Sequence, residues 1–379
     1  MEALDRISGI QLRHATAITL ATIAITIVLA FGMLQIRLET DFSKELPQDN
    51  PAIILQNRIR DTFGGMDMIL ILVEVDPTSG SKEAVDDIRD PRVIKMLSDL
   101  ENEVMDEPGV DKTQSVAQAF SRGGIPEDVN GVQGILDNIP GSRQFFNRDY
   151  TATVFYTYTN LGSSNEKIKA MTKNIESDIE EVAKPPGTRL RITGMPSIRT
   201  TLMDILVSDA KYTMALASII ILMILIVLNK PITRGFFVFL PLMLGLIWTL
   251  GTMGWLDIPL SIVTVGVGAM ILGLGVEYSV FYESVYRKER AAGKTQEEAL
   301  KIALNEVGMA IIGSSTTTIV GFLSLLFASM PMLHHLGLAL ALGITYCVLA
   351  ALLVNPSFIV IEENIVHKMI RDIIRGGGT

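Results

Sequence analysis

Ala15 to Leu34 is a run of 20 residues without a charge. A run of that length crosses a ~30 Å hydrocarbon core as one helix, which satisfies its own backbone hydrogen bonds where water is excluded. Similar runs follow at 212–228, 235–255, 258–286, 307–330 and 336–361. Hydrophobic residues make up 49% of the chain and are gathered into these runs rather than dispersed. The chain therefore reads as a polytopic α-helical membrane protein with six transmembrane helices. Their expected bounds are 15–36, 210–229, 235–255, 258–286, 307–330 and 335–361. The second can extend backwards, because 197–211 contains no helix breaker. A cleaved leader is the alternative for the first run. It is too long for one, and a five-span remainder would spoil the charge pattern described next.

Loop charges orient the spans. Arg6, Arg13 and His14 precede the first, and Lys230 and Arg234 separate the second from the third. Arg287, Lys288, Arg290, Lys294 and Lys301 separate the fourth from the fifth, and Lys368, Arg371 and Arg375 follow the sixth. The loops 254–259 and 329–335 contain no Lys or Arg. Every short basic loop falls on one side, which the positive-inside rule assigns to the cytoplasm. The expectation is a multi-pass protein of the cell membrane with both termini cytoplasmic and residues 37–209 outside. Leu4, Ile7 and Ile10 suggest an interfacial helix at 1–14. A second amphipathic helix is expected at 287–306, where Thr295-Gln296-Glu297-Glu298 reads as a capping box. Residues 362–379 form a tail.

The formal net charge is −9, and the acidic excess lies within 37–209. No basic surface for nucleic acid is present. Met68–Val75 is a β-rich run. Asp90-Pro91 opens a helical pattern with Val93, Ile94, Leu97, Leu100 and Val104, ended by Pro108-Gly109. Val110–Val116 and Tyr150–Thr159 read as strands, Asn165–Val182 as a helix stopped by Pro185-Pro186-Gly187, and Arg189–Thr193 as a last strand. The order β-α-β, loop, β-α-β predicts an extracytoplasmic α/β domain of ferredoxin-like, split βαβ type. Between Arg37 and Asp209 there is no His and no Cys, and no nucleophile motif. A binding or conduit domain is expected, not an enzyme. Cys347 is the single cysteine, so disulfides have no part. His334-His335, two adjacent residues on a short loop, are weak as metal ligands, and no metal site is expected.

The fourth run contains Gly273-Leu274-Gly275-Val276-Glu277-Tyr278. A carboxylate inside a membrane helix is costly and marks an ion pathway by default. Glu277 is thus a candidate ion-coupling group, against the plainer reading of a buried hydrogen bond to Ser or Thr. In the fifth run Gly313-Ser-Ser-Thr-Thr-Thr318 precedes Gly321, and Gly313, Thr317 and Gly321 recur every four residues. Gly266 and Gly273 lie one heptad apart, as do Gly268 and Gly275. Stripes of small residues let membrane helices approach closely, so Gly266, Gly273, Gly275, Gly313 and Gly321 are candidate packing positions.

One span, a large external α/β domain and five further spans is a recognisable order. With it come Gly-Val-Glu277-Tyr278, Gly293-Lys-Thr-Gln-Glu-Glu-Ala-Leu, Val307-Gly308, Thr317-Thr318, Gly321-Phe-Leu-Ser-Leu325 and Asn355-Pro356-Ser357. Asp41-Phe42, Leu46-Pro47, Phe63-Gly64-Gly65 and Val73-Glu-Val-Asp76 fit the start of the external domain. In these features the chain resembles the RND (resistance–nodulation–division) superfamily, in its MMPL and hydrophobe/amphiphile exporter branch, related to Patched and sterol-sensing-domain proteins. The resemblance implies that 37–209 is a porter domain. It also implies a secondary transporter of hydrophobic or amphiphilic molecules, lipid-like or drug-like, working within membrane lipids and driven by protons. Glu277 and Tyr278 would couple the ion together with Ser314, Thr317 and Thr318. Sodium coupling through the same oxygens is the alternative, and a non-transporting lipid sensor or protein-export accessory subunit is a third reading. No cofactor is implied beyond protons, or Na⁺. Two departures matter. The family usually has Asp where Glu277 stands, and usually carries two such repeats, whereas Thr379 falls where a second repeat would begin. The resemblance implies either a half-size chain acting as a homodimer or the first half of a longer protein.

Overall fold

The computed structural model describes residues 11, 14–39, 42–63, 67–159, 165–228 and 232–363. The chain divides into two compact units, Gln48–Asp204 on one hand and Met1–Pro47 with Ile205–Thr379 on the other.

In the first unit helix α2 (Pro51–Phe63) precedes strand β1 (Asp67–Val75); α1 (Ala15–Met33) belongs to the second unit. Then come α3 (Pro91–Met105), β2 (Val110–Gln114), α4 (Val129–Asp137), β3 (Ala152–Thr159), α5 (Asn165–Glu181) and β4 (Thr188–Gly194). The four strands form one sheet in the order β2-β3-β1-β4, with every pair antiparallel. Leu72 of β1 lies opposite Val154 of β3 and Arg191 of β4. Strand alternation puts Ile69, Ile71 and Val73 of β1 on the same buried face as Phe155 of β3. Onto that core pack Val93, Ile94, Leu97, Leu100 and Val104 of α3 and Met171, Ile175 and Ile179 of α5. Each such aliphatic side chain contributes roughly 1.5–3 kcal/mol by burial. Helix α3 starts where its chemistry dictates. The Asp90 carboxylate accepts from the Arg92 N–H, and Pro91 takes a first-turn place where its missing N–H costs nothing.

The second unit contains α1 (Ala15–Met33), α7 (Ile232–Trp255), α8 (Val267–Ala291), α9 (Gln296–Leu323) and α10 (Pro331–Leu349). Helix α6 (Met195–Leu228) is 34 residues long, and the division between the units falls within it. A π turn, Ala350–Val354, carries α10 onward, so that the helical span runs to Glu363. Helices α7 and α10 are central: 67% of the most apolar 18-residue stretch of each is buried, against 11% in α1 and α9 and 6% in α6. Apolar side chains gain little by leaving lipid for protein, so close backbone approach does the packing. Gly251 and Gly254 of α7 lie so near α1 that an added Cβ would stand 2.0 Å from the Leu29 carbonyl oxygen and 1.8 Å from that of Gly32. Gly245 of α7 and Gly275 of α8 both receive Cys347 of α10.

Three expectations differ from what is observed. First, against six expected spans, five helices among the described residues are long and apolar enough to cross a membrane. Helix α8 has the length, 25 residues, but carries Glu277, Glu283, Arg287, Lys288, Glu289 and Arg290. Second, α8 starts at Val267, not 258. Leu260 pairs with Leu38 as an isolated bridge, through Leu260 N–H to the Arg37 carbonyl (2.8 Å) and Glu39 N–H to the Leu260 carbonyl (3.0 Å). The Ser261 N–H then donates to Thr264 Oγ1 (2.7 Å), a local turn that competes with helix. Third, there is no separate amphipathic helix at 287–306. Helix α8 runs to Ala291, and the capping box of Thr295 and Glu298 opens α9, which continues unbroken to Leu323. The interfacial helix expected at 1–14 and the tail beyond Glu363 lie outside the described residues, Gln11 and His14 apart.

Candidate ion-coupling site

Helix α8 turns Glu277 and Tyr278 in different directions, as consecutive helical residues must be. Tyr278 is 2% exposed within the bundle, whereas Glu277 is exposed on the outer face of α8. Met270, Gly273, Leu274 and Phe281 are exposed with it. Helix α9 packs on α8. Its Ser314 and Thr317 are exposed and Thr318 is half-buried. Their hydroxyls donate to their own helix: Ser314 Oγ to the Ile311 carbonyl (3.2 Å), and Thr317 Oγ1 (2.7 Å) and Thr318 Oγ1 (3.0 Å) to that of Ser314. Within one chain the expected ligand set is therefore not hydrogen-bonded to Glu277.

The glycine stripes divide in the same way. Gly275 meets Cys347 Sγ, where an added Cβ would stand 2.6 Å away. Gly266, Gly273, Gly313 and Gly321 face open space, with nothing within 4 Å of an added Cβ. As packing positions within one chain these four are corrected. The glycines that seat helices are Gly32, Gly235, Gly245, Gly251, Gly254, Gly268, Gly275, Gly337 and Gly343.

Helix α8 buries two other carboxylates, Glu289, which pairs with Lys294, and Glu283, which does not. Glu283 is 4% exposed, and its Oε2 has no hydrogen-bond partner among the described residues. It lines a cavity of about 780 Å³ together with Arg234 of α7, Tyr286, Arg287 and Arg290 of α8, and Glu362 and Glu363 at the end of the last helix. Those two glutamates are held. Glu362 Oε1 accepts from Thr233 Oγ1 (3.3 Å) and lies 3.8 Å from Arg234 Nε. Glu363 accepts from Tyr286, Arg290 and Gln296. Sequence reasoning missed Glu283, although a signal existed. It follows Tyr282, which continues the heptad of Gly268 and Gly275 onto the buried side.

The Asn355-Pro356-Ser357 stretch is buried in the last helix, with Asn355 and Ser357 both 0% exposed. Beside it Gln11 is 2% exposed and donates from Nε2 to the carbonyls of Leu352 (2.8 Å) and Leu353 (3.3 Å). Pro356 has no N–H for the Leu352 oxygen four residues back, and the π turn lies just before it. Elsewhere in this unit Glu45 is 5% exposed, and burial, then Glu39, push its carboxyl up. Its Oε2 stands 3.8 Å from His335 Nδ1.

Residues 46–366 match the sequence profile of the MMPL family. A Methanocaldococcus jannaschii protein, MJ1562, named only as a membrane protein, is 34% identical over 375 residues, which cover 98% of this chain and 96% of that protein. The apo-petrobactin exporter of Bacillus anthracis is 26% identical over 282 residues, 70% of this chain but 36% of the exporter. Among solved structures, the hedgehog release protein Disp of the water bear Hypsibius dujardini superposes with a TM-score of 0.65 at 14% identity. The superposition covers 95% of this chain and 49% of Disp, a likeness of fold.

Proposed function

The chain belongs to the MMPL family of membrane proteins, and from that premise we propose that it is a secondary transporter of hydrophobic or amphiphilic molecules, driven by protons through Glu277 and Tyr278. The observation that carries this reading is the placement of Glu277. It is a carboxylate on the outer face of a bundle helix, where lipid would leave it unsolvated. Such a group is tolerated when something other than hydrocarbon meets it. A second copy of the chain would do so, bringing its own α8 and α9 with Tyr278, Ser314, Thr317 and Thr318. The open positions at Gly273, Gly313 and Gly321 support that approach. So does the superposition on 49% of Disp, because a pair of these chains would approximate a full-length relative. The commonest such pair is a closed two-fold dimer.

On this reading α8 is the fourth of six spans, its charged last turns emerging on the cytoplasmic side, as the basic loops require. The unit at Gln48–Asp204 then lies outside as the porter domain. Its helix after β1, helix after β3 and β2-β3-β1-β4 order support a split βαβ, ferredoxin-like assignment. The petrobactin exporter among its relatives supports transport as the activity.

The test is reconstitution into vesicles with an imposed pH gradient and a fluorescently labelled phospholipid as probe, with a Na⁺ gradient as the parallel arm. Glu277→Gln should fold, insert and lose proton-driven movement of the probe. Glu277→Asp, which restores the family's usual residue in an unadapted surround, should keep part of it. Equal transport by wild type and Glu277→Gln would remove Glu277 from the mechanism, and dependence on the Na⁺ gradient would reassign the ion.

A further inference from the structure

Glu283 follows Glu277 by six residues, which in an α-helix is about 9 Å along the axis and about 120° around it. One carboxylate of α8 therefore faces outward and the other inward. Removing a carboxylate from water without a hydrogen-bond partner is costly, and such groups are kept where they exchange protons or bind ions. Glu283 differs from the other acids at its end of the helix. Glu289 is held by Lys294, Glu362 by Thr233 with Arg234 nearby, and Glu363 by Tyr286, Arg290 and Gln296. The charged groups that face Glu283 are Arg234 from α7, Arg287 one turn along α8, and Glu362 and Glu363 from the last helix. The cavity it lines reaches the surface, since Ser284, Lys288 and Ala291 on its wall are exposed. One turn back from Glu283, on the same side of α8, Ser279 is 2% exposed and so adds a second buried polar group to the inward face.

We propose that Glu283 is a second proton-exchanging carboxylate, which passes protons between water in the Arg234–Arg290 cavity and Glu277. The inference rests on the proton-driven reading above. In the exchange a proton from cavity water joins Oε2 and converts carboxylate to carboxylic acid. Its departure restores the carboxylate, and no other bond changes. Transfer onward to Glu277 spans more than one hydrogen bond, so it requires water as an intermediate carrier.

The test needs neither substrate nor gradient. Infrared difference titration of the whole protein in nanodiscs reads the C=O stretch of protonated carboxyl groups. Among the titrating bands of wild type, one should be lost in Glu277→Gln and a different one in Glu283→Gln. Glu283→Asp should keep its band, shifted, which guards against a folding defect in the Gln variant. After a pH jump, the Glu277 band in Glu283→Gln should respond about a hundredfold more slowly, the lower end of what a positioned proton carrier contributes. A titration spectrum unchanged by Glu283→Gln, or an unchanged rate at Glu277, overturns the proposal. Failure of the transport reading is seen separately, as full proton-driven transport by Glu277→Gln.

Discussion

The side-chain amide of Gln11 donates to the main-chain oxygen of Leu352 at 2.8 Å, across 341 positions of sequence. That oxygen sits four residues before Pro356, which has no N–H to offer it. A residue before the first span thus does the work of a missing helical hydrogen bond in the last. Gln11→Ala should cost about 1–2 kcal/mol, the usual penalty for stranding a buried carbonyl. Pro356→Ala, which restores a donor, should recover part of that loss, with a coupling of roughly 0.5–1 kcal/mol between the two sites. Thermal unfolding of the four members of the cycle in one detergent measures it. Additive effects would show that Gln11 and Pro356 act independently.

How much of this was legible in the sequence depended on whether a pattern was local. Asp90 and Thr295 each announce a helix start because a cap needs residues a few positions apart, and both caps are present. Strand β3 was legible because its side chains alternate between buried and half-buried from Ala152 to Thr159. The inward face of α8 was not. A bundle helix is apolar nearly all round, so periodicity cannot say whether Glu277 or Glu283 turns inside. That is settled by α7 and α10, which come from other parts of the chain. The glycines failed for the same reason. Gly251 and Gly273 look alike in sequence, and only the neighbour across the gap distinguishes them. The start of α8 was missed because Ser261 and Thr264 make a turn inside an apolar run that hydropathy reads as helix.

That contrast between glycines is itself testable. Gly251→Ala drives a methyl group to within 2.0 Å of the Leu29 carbonyl oxygen, which is main chain and cannot swing away. Helices α1 and α7 must separate, at a cost of about 2–3 kcal/mol. Gly273→Ala and Gly313→Ala meet nothing within 4 Å, and alanine is the better helix former by roughly 1 kcal/mol. Their effect on the thermal stability of a single chain should be neutral to slightly stabilising. Fluorescence-detected size-exclusion after heating separates these outcomes, and a Gly251→Ala protein as stable as wild type would contradict the α1–α7 contact.

A pH effect is expected in the Gln48–Asp204 unit. Burial, with Glu107, Glu103 and Glu181 adding their charge, pushes the Asp178 carboxyl up to about 6 from its ordinary 3.8. The folded state then binds this proton more tightly than the unfolded chain does. Its stabilising effect is complete below the unfolded value and is lost as pH rises through about 6. At neutral pH the ionised Asp178 weighs against the α3–α5 pairing, though solvent screening keeps the effect below about 1 kcal/mol. Asp178→Asn should therefore slow hydrogen exchange in α5 at pH 7 and leave it unchanged at pH 4. Equal protection in both proteins at pH 7 would place Asp178 in an ordinary solvated setting.

The proposed dimer makes the last prediction. If Glu277 lies near a two-fold axis, Gly273 one turn before it should meet its own counterpart, because residues close to such an axis contact themselves. Gly273→Cys should then form an intermolecular disulfide on mild oxidation in nanodiscs. Leu20→Cys is the control, on a face of α1 that is 68% exposed and belongs to lipid on this reading. It should remain monomeric. The native Cys347 need not be removed, because it is 2% exposed between α7 and α8 and cannot reach a second chain. A bulky Gly273→Trp should block the pairing and abolish transport together, while leaving single-chain stability near that of wild type, since its position faces open space. The mass of the detergent-free particle decides the stoichiometry. Full transport by a one-chain particle, or cross-linking through Leu20→Cys rather than Gly273→Cys, would mean that Glu277 is met by something other than a second copy of this chain.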